Sequence, residues 1–145
     1  MTSRELDNLA SIGKLKREPP TNDEIMGLLR SAEERLRDAE RIELTYSSRF
    51  DLAYNAAHAL ALVALRQAGY RSDNRYIVFQ ALTHTTGLSA VKWRVLAKAH
   101  ERRNLAEYEG HLERDERLLD ELIVIAGELH AIVAAPAPKP PPRMK

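Results

Sequence analysis

The chain has 145 residues, enough for one domain with a sizeable core and tails. Its 22 Lys and Arg nearly balance 21 Asp and Glu, so bulk charge points to neither a nucleic-acid nor a membrane partner. The absence of cysteine excludes disulfides and thiolate metal sites, no apolar run nears the ~20 residues of a membrane span, and the first residues lack a signal-peptide core. A soluble cytoplasmic protein is the expectation.

Residues 1–20 read as an N-terminal arm. Leu6, Leu9, Ile12 and Leu15 fall at mixed helical spacing, which suits docking on the domain or on a second subunit, and Pro19-Pro20 stops whatever precedes them. Thr21-Asn22-Asp23-Glu24 is a capping box that opens a first predicted helix over residues 21–41. Its inner stripe is Ile25, Leu28, Leu29, Ala32, Leu36 and Ala39, and its Glu/Arg-rich remainder is a solvated face.

A second helix is predicted from a cap at Ser47 or Ser48 to Ala68, with Gly69 as its stop. The stretch from Ala59 to Leu65 is nearly all apolar and predicts burial on most sides. Its first half carries Asp51, Tyr54, Asn55 and His58 at i, i+3, i+4 and i+7, a polar stripe that prolongs the core stripe of Leu62 and Leu65. Two readings stay open. Tyr54 and Asn55 satisfy each other or the backbone at a bundle end, or else one of Asp51, Asn55 or His58 belongs to one site with Arg103.

Residues 70–74 read as a turn with cap residues. A short third helix follows over residues 75–83, anchored by Ile77, Val78, Phe79 and Leu82, and broken at His84-Thr85-Thr86-Gly87. Ser89 caps a fourth helix carrying Val91, Trp93, Val95 and Leu96. The pair of helices around Gly87, with Lys92, Arg94 and Lys98 on the second, imitates a DNA-binding helix-turn-helix. Apolar residues cover much of that second helix, however, and leave little to present to a groove.

Further along the fourth helix, His100, Arg103, Glu107 and, if the helix passed Gly110, His111 fall within an arc of about 80° at 100° per residue. The same arc holds Trp93 and Leu96, so a core-facing stripe turns ionisable towards its C-terminal end. A charge on a buried side must be paired or hydrated, which makes this the best candidate site in the chain. In the plain structural reading, Arg103 pairs with Glu107 and Asn104 caps the helix end. Residues 46–110 hold nine Lys/Arg against five Asp/Glu, a mild basic bias around the candidate.

A fifth helix begins between His111 and Asp115. Leu118, Leu119, Leu122, Ile123, Ile125, Ala126, Leu129, Ile132 and Val133 give it a wide packing face, with His130 at its boundary. From residue 135 the proline-rich sequence reads as a disordered or polyproline tail, so the bundle spans 21–134. The fold class expected is all-α, an up-and-down bundle of four long helices plus one short one. No Gly-rich phosphate loop, His-Glu-x-x-His or Asp-rich cluster is present, and the five histidines have no metal-ligand spacing, so no cofactor or metal is expected.

Arg103-Asn104 near the end of a helix, in a small all-helical chain, resembles the HEPN superfamily over roughly residues 49–133. That family's signature is an Arg, usually followed by Asn, with a His four to six residues further on. Four residues separate Arg103 from Tyr108, which stands where the shortest form has His, and His111 lies one position past the longest form. The resemblance implies metal-independent RNA cleavage, in which the 2′-hydroxyl attacks the adjacent phosphate, Arg103 holds the phosphorane oxygens and a His moves the proton. A tyrosine with an ordinary pKa near 10 is only about one part in a thousand ionised at neutral pH, so Tyr108 replaces that His poorly, and His100 and His111 are the substitutes by position.

The resemblance also implies a two-fold homodimer and an RNA-directed role in toxin–antitoxin or stress-defence systems, with a minimal nucleotidyltransferase as a possible partner. Two other readings stand beside it. One is a non-catalytic module that holds a nucleotide, an RNA end or a partner enzyme, with Tyr108 as a contact or a modified hydroxyl. The other is a plain helical scaffold.

Overall fold

A computed structural model describes residues 4–134; residues 1–3 and the expected proline-rich tail, 135–145, lie outside the described residues. The order is α1 (Arg4–Ser11), β1 (Lys16–Arg17), α2 (Asn22–Ala39), α3 (Tyr46–Gln67), β2 (Tyr70–Arg71), α4 (Arg75–Gln80), α5 (Leu82–Thr85), α6 (Ala90–Glu109) and α7 (Glu116–Val133). An all-α bundle forms, and the strands are two residues each. Among the described residues no helix is long and apolar enough to cross a membrane.

Helix α3 is the axis. A helix that is apolar all round has to be enclosed, and between Ala59 and Leu65 only Leu62 keeps partial exposure. Helices α2 and α7 pack along it, and α4 and α5 lie against it further on. Helix α6 is more peripheral. It touches α4, α5 and α7, and only Leu96 and Ala99 of its twenty residues are buried. Lys92 and Lys98, part of the helix-turn-helix reading, are ion-paired to Glu128 and Asp115.

Residues 4–20 lie against the bundle of their own chain. Leu6 and Leu15 join the core, and β1 pairs antiparallel with β2 in the register Lys16↔Arg71 and Arg17↔Tyr70. Tyr70 and Arg71, read from sequence as part of a turn, are therefore a strand. Its partner is remote in the chain, and local periodicity carries no sign of such a pairing. Arg66, 1% exposed, clasps this junction. Its Nε donates to Glu24 Oε1 at 2.8 Å, and its Nη1 to the carbonyls of Glu18 at 2.8 Å and Tyr70 at 3.0 Å. Its Nη2 donates to the Pro19 carbonyl at 3.0 Å and to Glu24 Oε2 at 3.2 Å.

Several helix ends follow the sequence signals. Thr21 Oγ1 accepts from the Glu24 amide at 3.2 Å, and Ser89 and Asp115 cap α6 and α7 in the same way. The Glu24 carboxylate feels the Thr21 backbone, as in a capping box, and is also engaged by Arg66 and Arg71. Thr45, rather than Ser47 or Ser48, caps α3 by accepting from the Ser48 amide. The predicted third helix stops at Gln80 and restarts as α5. Gly110 ends α6 at φ +70°, a left-handed conformation that glycine adopts without a Cβ clash.

Candidate functional site

The polar half of α3 and the polar half of α6 face each other. Tyr54 Oη lies 3.0 Å from His100 Nδ1, and Asn104 Nδ2 lies 3.1 Å from His100 Nε2. With the Asn104 amide in its assigned orientation, Nε2 accepts, so Nδ1 carries the proton and donates to the Tyr54 oxygen. Burial, together with the positive Arg75 and Arg103 nearby, pushes the His100 imidazole below its ordinary range and keeps it neutral at pH 7. Burial raises the Tyr54 phenol, against the pull of Arg75 and Arg103.

Arg103 lies over the Tyr54 ring, its Cζ 5.1 Å from the centroid. Its Nη1 donates to Glu107 Oε1 at 2.9 Å, the i, i+4 pair of the plain structural reading. Its Nε is 3.7 Å from Asp51 Oδ1, an ion pair too long for a hydrogen bond, and this buried Nε–H has no hydrogen-bond acceptor among the described residues. The guanidinium therefore borders an opening despite its pairing. A cleft of about 200 Å³ lies beside it, lined by Ser47, Phe50, Asp51, Arg103, Glu107 and Leu112. Glu107 and Asp51 are mostly exposed, so both pairs are screened and weak.

Asn55 and Tyr54 do not satisfy each other. Asn55 Oδ1 accepts from Arg75 Nη1 at 3.0 Å, and its Nδ2 donates to the Asp51 carbonyl at 2.8 Å. Arg75 also lies over Tyr54, 5.6 Å from the centroid. His58 sits deeper, edge-on to Phe79 at 5.7 Å, outside the cleft's hydrogen bonds. Asn104 bonds His100 rather than capping the helix end. Tyr108 is 95% exposed and lines none of the cleft. His111 follows Gly110, is exposed and is off the helix, so the face expected to carry it ends before it.

Arg75 and Tyr76 were not expected here. Tyr76 packs 5.7 Å from His100 and 5.5 Å from Trp93. One sequence signal was available: Arg75 stands in the first turn of a helix, where the dipole favours acids, so that cation needs another reason for its place.

A larger concavity of about 420 Å³ lies where residues 13–16 meet the loop after β2, lined in part by Lys14, Lys16, Arg71, Ser72 and Asn74. Its Arg71 is held by Glu18 and Glu24, its Ser72 hydroxyl accepts from the Asn74 amide, and Asp73 stands beside them without a histidine, so the smaller cleft, next to the linked Tyr54 and His100, is the candidate. Among the described residues no group of His, Asp and Glu is arranged to hold a metal ion. Comparison with protein-family models, with curated proteins and with solved structures finds no match, so the function of this chain is argued from the α3–α6 cleft.

Proposed function

We propose that this protein is a HEPN-like, RNA-associated module of the toxin–antitoxin or stress-defence kind, acting as a two-fold homodimer, in which Arg103 holds a phosphate at the mouth of the α3–α6 cleft. What carries the reading is the meeting of two polar half-helices on one linked group: Tyr54 to His100, His100 to Asn104, and Arg103 over Tyr54. Arg103 lines the cleft with only screened, exposed acids as its ion-pair partners.

The catalytic form of the reading is metal-independent RNA cleavage. His100 is then the base, because it hydrogen-bonds Tyr54, over whose ring Arg103 lies, whereas Tyr108 is almost fully exposed and His111 is off the helix. Its neutral imidazole can accept the 2′-hydroxyl proton once the exposed Asn104 bond yields to substrate. Arg103 would stabilise the developing phosphorane charge once its exposed Glu107 pair gives way to the phosphate. Tyr108 supports a second, non-catalytic reading. Its 95% exposure leaves the hydroxyl open to a partner such as a minimal nucleotidyltransferase.

The test is to incubate the full chain, Arg103→Ala and His100→Ala with total RNA in EDTA, scoring cleavage and binding together. Cleavage lost in both variants establishes the nuclease. Intact RNA, with binding that falls at least tenfold in Arg103→Ala, establishes the binding module. Identical behaviour of the three proteins overturns both.

A further inference from the structure

Arg103 brings a positive charge to the cleft and Arg75 a second over the same Tyr54 ring, while Asp51 and Glu107 bring two negative ones. Phosphate contacts alone therefore give an RNA little affinity here, and a second source of binding is needed. Tyr76 offers one. It is 42% exposed, stands edge-to-face on Trp93 at 5.5 Å and 71°, and lies 5.7 Å from His100. A tyrosine kept only for packing would turn more of its ring inward, as Tyr54 and Tyr70 do. Arg75, next in the chain, has no acidic partner among the described residues; Asn55 and the Tyr54 ring hold it.

We propose that Tyr76, Trp93 and His100 form a stacking shelf for an unpaired nucleobase, with Arg75 beside it, so that the ligand of this cleft is single-stranded RNA rather than duplex. The inference deepens, and rests on, the reading of the cleft as an RNA site. Every base has a π-face to lay on an exposed aromatic ring, but in a duplex both faces are already covered by neighbouring bases. Trp93 and Arg103 are ten residues apart on α6, about 15 Å of helix axis. A few nucleotides of single strand bridge that distance, one base on the shelf and a downstream phosphate on Arg103.

The only tryptophan of the chain is Trp93, so intrinsic fluorescence reports directly on the shelf. The full chain is titrated with a single-stranded hexaribonucleotide, its blunt duplex, and an abasic ribose-phosphate strand of equal length. Quenching is expected with the hexamer alone, and the abasic strand should bind roughly tenfold more weakly without quenching. Tyr76→Phe should keep the hexamer's affinity, because the ring remains. Tyr76→Leu, which keeps an apolar cover for Trp93, should lose about tenfold. Binding that depends on Arg103, without quenching and with Tyr76→Leu equal to the parent, overturns the shelf and leaves the RNA reading standing. Quenching that survives Arg103→Ala keeps the shelf and removes Arg103's assigned role. Absence of binding by all three strands overturns both.

Discussion

His58 stands edge-on to Phe79 with no hydrogen-bond partner among the described residues, and burial is the main force on its proton. Reinforced by the positive Arg75 and Arg103 and by His100, that burial pushes the imidazole down from 6.5 to about 4. In the unfolded chain it titrates near 6.5, so between those values the unfolded state binds more protons than the folded one. Stability is therefore complete above about pH 6.5 and falls as the pH drops towards 4. The expected loss between about pH 7.5 and pH 5 is about 2 kcal/mol, which urea unfolding at the two pH values measures. The carboxylates lowered by Arg66 and Arg71 act mainly below about pH 4.5, so they blur this window little. His58→Leu should remove the His58 share and leave that of His100, whose imidazole is lowered in the same direction; a variant as acid-sensitive as the parent would show that other groups govern it. His58 belonged by spacing to the stripe that reaches the cleft, and its type and position were legible. Its depth was not, because depth depends on Phe79 and on how α4 closes over α3.

At the scale of the element, α3 combines an enclosed apolar half with a polar half that meets α6. The second half contained a warning: Arg66 follows Val63 by three residues and Ala59 by seven, on a face that is otherwise core. A cation there demands partners, but nothing in the pattern named Glu24 or the carbonyls of residues 18, 19 and 70. The caps at Thr21, Ser89 and Asp115 and the stop at Gly110 were legible because each is settled within four residues of chain. The pairing of β1 with β2 and the Arg66 clasp depend on contacts distant in sequence, and a periodicity argument cannot reach them. Arg66→Leu leaves three carbonyls without their donor and the half-buried Glu24 carboxylate stripped of Arg66, with Arg71 still on one of its oxygens. The expected cost is about 3 kcal/mol in urea unfolding, with residues 4–20 becoming sensitive to limited proteolysis. Adding Glu24→Leu to that variant should recover part of the loss, since the abandoned charge is then gone. A double variant no more stable than the single one would assign the cost to the carbonyls instead.

For the molecule as a whole, the candidate cleft lies between its most deeply buried long helix and one that buries only two side chains. Helix α3 buries twelve side chains, while α6 buries Leu96 and Ala99. Segments with few buried apolar contacts open at lower free energy than the global transition, so α6 should open before the α3 core. That arrangement suits a binding site, because the half-helix carrying His100, Arg103 and Asn104 can adjust while Tyr54 stays fixed in the core. Hydrogen exchange on the free chain should accordingly exchange residues 98–109 well before 56–66. The single-stranded hexamer at about a hundred times its dissociation constant should slow α6 by roughly a hundredfold, since ligand that binds only the closed state adds about 2.7 kcal/mol to opening. The α3 core, limited by global unfolding, can gain no more than that same increment. If α6 exchanged as slowly as α3 in the free chain, Leu96 and Ala99 would not be its only anchors, and a second copy of the chain covering its outer face would be the first cause to test, by repeating the measurement across a dilution series.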